Sequence, residues 1–162
     1  MILREETMAN PEIQSHLESC KFLKNISPDH LSTISDFGSI DHYEAGSYIF
    51  RQGDFGEDLF IIIDGYVFLE RAMDIGSHKG SVVIDALGKG RTLGCWSALL
   101  GEPHVLMSSA SCQKDSAVVR LKGRLLRKCM EEDTQFGFFI LERLCFLLRE
   151  RIQAAYGAMD KI

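Results

Sequence analysis

The sequence has no apolar run approaching the roughly 20 residues that a membrane-spanning helix needs. It has five cysteines, Cys20, Cys95, Cys112, Cys129 and Cys145, but no Cys-x-x-Cys pair. The odd count and wide scatter exclude a zinc ribbon and a thioredoxin-like motif, and the thiols read as free and mostly buried in a reducing compartment. Positive charge is not in surplus. The net charge of -5 argues against a surface that coats nucleic acid. There is no G-x-S-x-G elbow, H-E-x-x-H pair or Walker loop, and Gly88-Lys89-Gly90-Arg91 reads as a turn rather than a phosphate cradle. The opening stretch Met1 to Met8 is charged and lacks the apolar core of a secretory signal. These absences predict a cytoplasmic chain that is not an enzyme and neither enters a membrane nor binds DNA alone.

What is present is ordinary globular material: 162 residues, 46% hydrophobic and 25% charged, enough for one domain with a substantial core. With only three prolines, punctuation falls to the 14 glycines. Residues 1–38 read as an N-terminal helical segment. Pro11 suits a first turn, and Ser27-Pro28 is an N-cap followed by a first-position proline, with Leu31 and Ile34 on one face and Gly38 as the stop.

Residues 39–122 change period. Short β-branched or aromatic runs at 48–50, 59–63, 67–69, 81–84 and 116–121 alternate with glycines, the pattern of a rolled antiparallel sheet. Asp64-Gly65 between two such runs predicts a tight hairpin. Asp54, Glu57 and Asp58 read as a solvated acidic turn.

Residues 123–162 turn helical again, starting at Leu125, Leu126 and Met130 and closing in a long helix over 136–156. That helix carries an apolar stripe wider than one core face needs. Phe139, Ile140, Leu144, Leu147, Leu148 and Ile152 divide between packing on the roll and pairing with the same helix of a second copy. The fold class expected is mainly β with flanking helices: an antiparallel jelly-roll-like β-roll, N-terminal helices and a long C-terminal helix.

Two stretches carry a family resemblance. The run from Tyr43 to Val67, YEAGSYIFRQGDFGEDLFIIIDGYV, has the glycine turn, the "I-x-x-x-G-D" arm and the "F-I-I-x-x-G-x-V" strand of cyclic-nucleotide-binding domains. These are typified by catabolite-activator-type regulators and protein kinase A regulatory subunits. The run from Leu93 to Ala110, LGCWSALLGEPHVLMSSA, is similar to the family's phosphate-binding cassette, with Gly94, Pro103 and Ala110 in register. The resemblance covers about Leu23 to Arg151.

It implies a regulatory module that takes a cyclic nucleotide such as cAMP or cGMP between roll and cassette and passes the signal to a protein partner through its C-terminal helices. The candidate pocket is Gly94, Cys95, Trp96, Ser97, Ala98, His104 and Ser108. In the family the acid after the cassette glycine holds the ribose 2′-hydroxyl, and the arginine after the proline pairs with the cyclic phosphate. Here those positions hold Cys95 and His104. An imidazole, with a reference pKa of about 6.5, lacks the permanent charge and bidentate fork of a guanidinium. Ligand binding is therefore expected to be weak or altered. A short helix at Ser97 to Leu99, its N–H groups aimed at the phosphate position, and the hydroxyls of Ser108 and Ser109 leave room for a small anionic ligand.

Trp96 reads either as a core or lid aromatic or as a stacking platform. Other readings stay open beside the weak binder: a true cAMP or cGMP sensor, a haem sensor ligated through His78 or His104, or a redox sensor, for which only Cys20 lies near the start. A cupin-type metalloenzyme needs clustered ligands, and His16, His30, His42, His78 and His104 stand apart. A helix-turn-helix reader is not expected, because the sequence ends at Ile162 just after the long helix.

Overall fold

The structure is a computed structural model. It describes residues 10–74, 76–77, 79–94, 96–102 and 104–161, apart from the side chain of Ala98. The expectations on the opening segment, His78, Cys95 and Pro103 lie outside these residues.

Two helices open the fold, α1 (Pro11–Ser19) and α2 (Pro28–Asp36), each with proline in its first turn. The Asn10 side chain accepts from the backbone N–H groups of Glu12 and Ile13, and Ser27 Oγ from that of His30. These are the donors that a helix start leaves unsatisfied. Gly38 is not a cap. It opens β1 (Gly38–Tyr43), where a Cβ would press on Ile13 and Leu121.

Nine further strands follow: β2 (Tyr48–Phe50), β3 (Phe55–Gly56), β4 (Asp58–Asp64), β5 (Val67–Asp74), β6 (Lys79–Leu87), β7 (Thr92–Gly94), β8 (His104–Val105), β9 (Ser109–Cys112) and β10 (Ser116–Lys122). They form antiparallel sheets in the orders β1-β10-β4-β7 and β2-β9-β5-β6, with β3 and β8 as a separate pair. Helices α3 (Gly123–Glu132) and α4 (Thr134–Met159) close the chain.

The first sheet is buried on both faces, and this explains the unbroken apolar run at its centre. Along β4, Leu59 and Ile61 join the core under the helices, while Phe60 and Ile62 join the core inside the roll. In β10, Val119 and Leu121 face the helices and Val118 the interior. Asp64-Gly65 is not a hairpin. β4 and β5 lie in different sheets, so the chain crosses from one to the other there. Gly65 is required at that corner because φ is +118° and a Cβ would fall on the Ser116 side chain.

Two polar links hold the last helix in place. The Arg151 guanidinium of α4 is buried against the roll, donating to Asp85 Oδ2 of β6 at 2.9 Å and to the Thr92 carbonyl of β7. At the other end, Asp133 caps α4 through Oδ1 and bonds His30 Nε2 through Oδ2 at 2.9 Å, with Ser27 Oγ 2.7 Å from His30 Nδ1. The imidazole stacks on Phe136, ring centroids 4.4 Å apart. This Ser-His-Asp chain ties two helix starts together, since Ser27 and Asp133 are both caps. The backbone N–H of Phe136, with His30 second, holds the Asp133 carboxyl below its usual range.

Among the described cysteines, Cys20 and Cys112 are buried, Cys129 is half-buried and Cys145 is exposed. Burial pushes the Cys20 thiol up to about 11.

Candidate functional site: the segment between β7 and β9

The segment begins at Gly94, the last residue of β7, whose φ is +128°. Its partner across the ladder is Leu59, and a Cβ on Gly94 would come within 2.5 Å of the Asp58 carbonyl oxygen. The backbone passes too close to β4 for any side chain, and this turn feeds a 3-10 helix over Trp96–Leu100. Leu99 is fully buried in the helix-facing core. Arg127 of α3 donates to the Leu99 carbonyl through Nη1 at 3.0 Å and to Glu131 through Nε at 2.8 Å. The short helix is thus bound directly to α3, the element that leads into the long C-terminal helix.

Trp96 turns the same way. Its ring packs against the helix-facing core, and its buried indole Nε1 has no hydrogen-bond partner among the described residues. Ser97 is half-buried, and its carbonyl accepts from the Glu102 N–H. Beyond Gly101 the chain pairs with the Gly53–Gly56 arm. His104 sits opposite Gly56 and Val105 opposite Phe55, while Leu106 exchanges backbone hydrogen bonds of 2.8 Å with Gly53 and Asp54. His104 and Val105 are exposed, and Ser108 is half-buried. The Met107 carbonyl accepts from Arg71 Nη1 at 2.6 Å, and Ser109 Oγ from the Gln52 N–H at 2.8 Å.

The expected pocket residues therefore occupy one continuous segment but two environments. Gly94 and Trp96 are pinned toward β4 and the helices. His104 pairs with the Gly53–Gly56 arm and is exposed, and Ser108 is half-buried farther along. Cys95 and the side chain of Ala98 fall outside the described residues. The sequence reading did not single out Arg71, Gln52 or Arg127, which anchor the segment. Arg71 and Arg127 stand in no recognisable motif, Gln52 is an unspecified position of the I-x-x-x-G-D arm, and only the fold brings the three near the segment.

Beside the short helix, Glu57, Asp58, Glu102, Lys122, Arg124 and Arg127 line a cleft of about 400 Å³ with mixed charge. Among the described residues, no three His, Cys, Asp or Glu side chains are grouped to hold a metal, and no helix is long and apolar enough to cross a membrane.

A model of the cyclic nucleotide-binding domain matches residues 40–133, which takes in the roll, the segment just described and α3. The chain belongs to the cyclic nucleotide-binding domain family.

Among curated proteins it is similar to mouse cGMP-dependent protein kinase 2, 32% identical over 94 residues, which is 57% of this chain and 12% of the kinase. A Drosophila melanogaster cGMP-dependent protein kinase, isozyme 2 forms cD5/T2, is 34% identical over 95 residues, again covering only 10% of its length. The chain thus spans about a tenth of these relatives. Among solved structures, a cyclic nucleotide-binding domain from Methylobacillus flagellatus superposes with a TM-score of 0.75 at 20% identity, covering 94% of this chain and 83% of that one. The regulatory domain of Toxoplasma gondii protein kinase A, solved with cAMP, gives 0.64 at 18% identity over 74% of this chain and 44% of that one. At these identities the structural likeness speaks for the fold.

The second group of expected residues lies on α4, where the chain's own core takes most of them. Ile140, Leu144 and Leu147 are buried in the chain's own core, and Phe139 and Leu148 are partly buried against it. Of the six, only Ile152 is exposed. A helix of this length must give one stripe to α1, α2 and the sheet. The apolar groups left outside are Phe138, Leu141, Phe146, Ile152, Tyr156 and Met159.

Proposed function

We propose that this chain is a regulatory ligand-binding module of the family with weak or altered affinity for cyclic nucleotides, because the cassette's acid and arginine positions hold Cys95 and His104. The observation that carries this reading is the contrast within the segment. Gly94 has positive φ and the 3-10 helix is tied to α3. The position where the family sets its phosphate-pairing cation is an exposed imidazole. The link from Leu99 to Arg127 supports a route by which an occupied cassette shifts α3 and α4 against a protein partner.

The names of the relatives and neighbours order the ligands to test: cGMP first, then cAMP. Thermal unfolding of the purified chain with millimolar nucleotide should show only a small upward shift, and the double variant Cys95→Glu/His104→Arg a larger one. A strong shift in the wild type that is unchanged in His104→Ala would count against the reading.

A second reading concerns assembly. Phe138, Leu141, Cys145, Leu148, Ile152, Ala155 and Met159 recur at alternating spacings of three and four along α4, the a/d spacing of a coiled-coil seam. We infer that a second copy pairs along this seam. Sedimentation equilibrium should give a dimer for the wild type and a monomer for Leu141→Glu/Ile152→Glu. A monomeric wild type at about 100 μM would refute the pairing.

A further inference from the structure

A second cavity lies away from the cassette, where α4, the α1–α2 connection and the β6–β7 turn meet. Its volume is about 160 Å³, similar to the roughly 150 Å³ that accommodates a benzene ring. Four cations from three distant parts of the chain line it: Lys21, Arg91, Arg143 and Arg149. Its one carboxylate is Glu150, already bonded to Lys21 Nζ at 2.5 Å. This local excess of positive charge stands on a chain whose net charge is -5, so composition does not account for it.

The arginines are poorly neutralised from within. Arg91 stands 3.8 Å from Asp85 and 3.6 Å from Glu150, and Asp85 is shared with the buried Arg151. Among the described residues, Arg143 and Arg149 have no carboxylate partner. Arg143 donates to the Lys24 carbonyl while its Nε is buried without a partner, and Arg149 rests over the Phe146 ring. Thr92 Oγ1, also in the wall, is a second buried polar atom lacking a partner. Repulsion from Arg91 adds to burial in lowering the Arg151 pKa from its ordinary value. A set of guanidinium forks around a small concavity, short of anions, matches phosphoryl oxygens in both charge and geometry.

We propose that this cavity is an anion site, separate from the cassette, that takes a small polyphosphate of about pyrophosphate size and clamps α4 to the roll. Because its walls belong to α4 and to the β6–β7 turn, occupancy should tighten the same docking that Arg151 makes from beneath.

The test is calorimetric titration of inorganic pyrophosphate into the full chain at low ionic strength, with sulfate as the control anion. Saturable one-site binding is expected for the wild type, weakened roughly tenfold by Arg149→Gln and strengthened severalfold by Glu150→Gln. The gain in Glu150→Gln guards against a misfolding explanation, since a damaged protein does not bind more tightly. No saturation by about 10 mM, equal affinity for sulfate, or the same isotherm in both variants would overturn the proposal. His104→Ala should leave pyrophosphate binding unchanged, so this site and the cassette reading stand or fall separately.

Discussion

Gly94→Ala should destabilise the protein by roughly 3–4 kcal/mol, a large loss for so small a change. Two costs act together. The position has φ of +128°, where an L side chain is strained, and the added Cβ would lie 2.5 Å from the Asp58 carbonyl oxygen and 3.2 Å from Leu59 Cα. Neither neighbour can rotate away, because both belong to the backbone of β4 and Leu59 is paired with Gly94 itself. Relief requires pulling β7 off the sheet, which also drags the start of the 3-10 helix. Gly80→Ala is the control. A Cβ there meets nothing within 4 Å, and its φ is not in the positive range. Urea unfolding of the two variants should show a large fall in midpoint for the first and a change within about 0.5 kcal/mol for the second.

Restoring the acid and arginine, Cys95→Glu with His104→Arg, should raise cyclic-nucleotide affinity by roughly ten- to a hundredfold. The basis is the roughly 1.5–3 kcal/mol that a hydrogen bond to a charged group contributes. The gain arises from two sources. An arginine brings a permanent charge and a two-pronged donor to the phosphate, and a glutamate returns a strong acceptor for a ribose hydroxyl. His104 is exposed and sits on the two-residue strand β8, so a longer side chain there meets no packed core. Isothermal titration with cAMP and cGMP measures the effect. The double variant should bind far more tightly than the wild type, with His104→Arg supplying most of the change.

The roll was legible in the sequence because its strongest signals are local. Ser27-Pro28 capped a helix as read, and the runs at 48–50, 59–63 and 116–121 each fell within a strand. The strands that escaped notice, β1, β3, β7, β8 and β9, are short or carry polar residues, and their partners supply the pattern they lack alone. Asp64-Gly65 misled because a hairpin and a sheet-to-sheet corner place the same demand on backbone φ. The pairing of β4 and β5 into different sheets tells them apart.

On α4, a stripe wide enough for two faces does not say which residues take which face. The answer waits on where α1, α2 and the sheet lie. In the segment between β7 and β9, the tight turn at Gly94 was readable from the glycine itself. The segment's anchors, Arg71, Gln52 and Arg127, were not, since each reaches it by a contact between segments far apart in the chain.

Calorimetric titration of cGMP into the wild-type chain at pH 7 tests most directly the proposal that Cys95 and His104 leave the segment a weak grip on cyclic nucleotides. The expected dissociation constant is about a millimolar or weaker. A constant of about a micromolar or tighter, retained in His104→Ala, would contradict it.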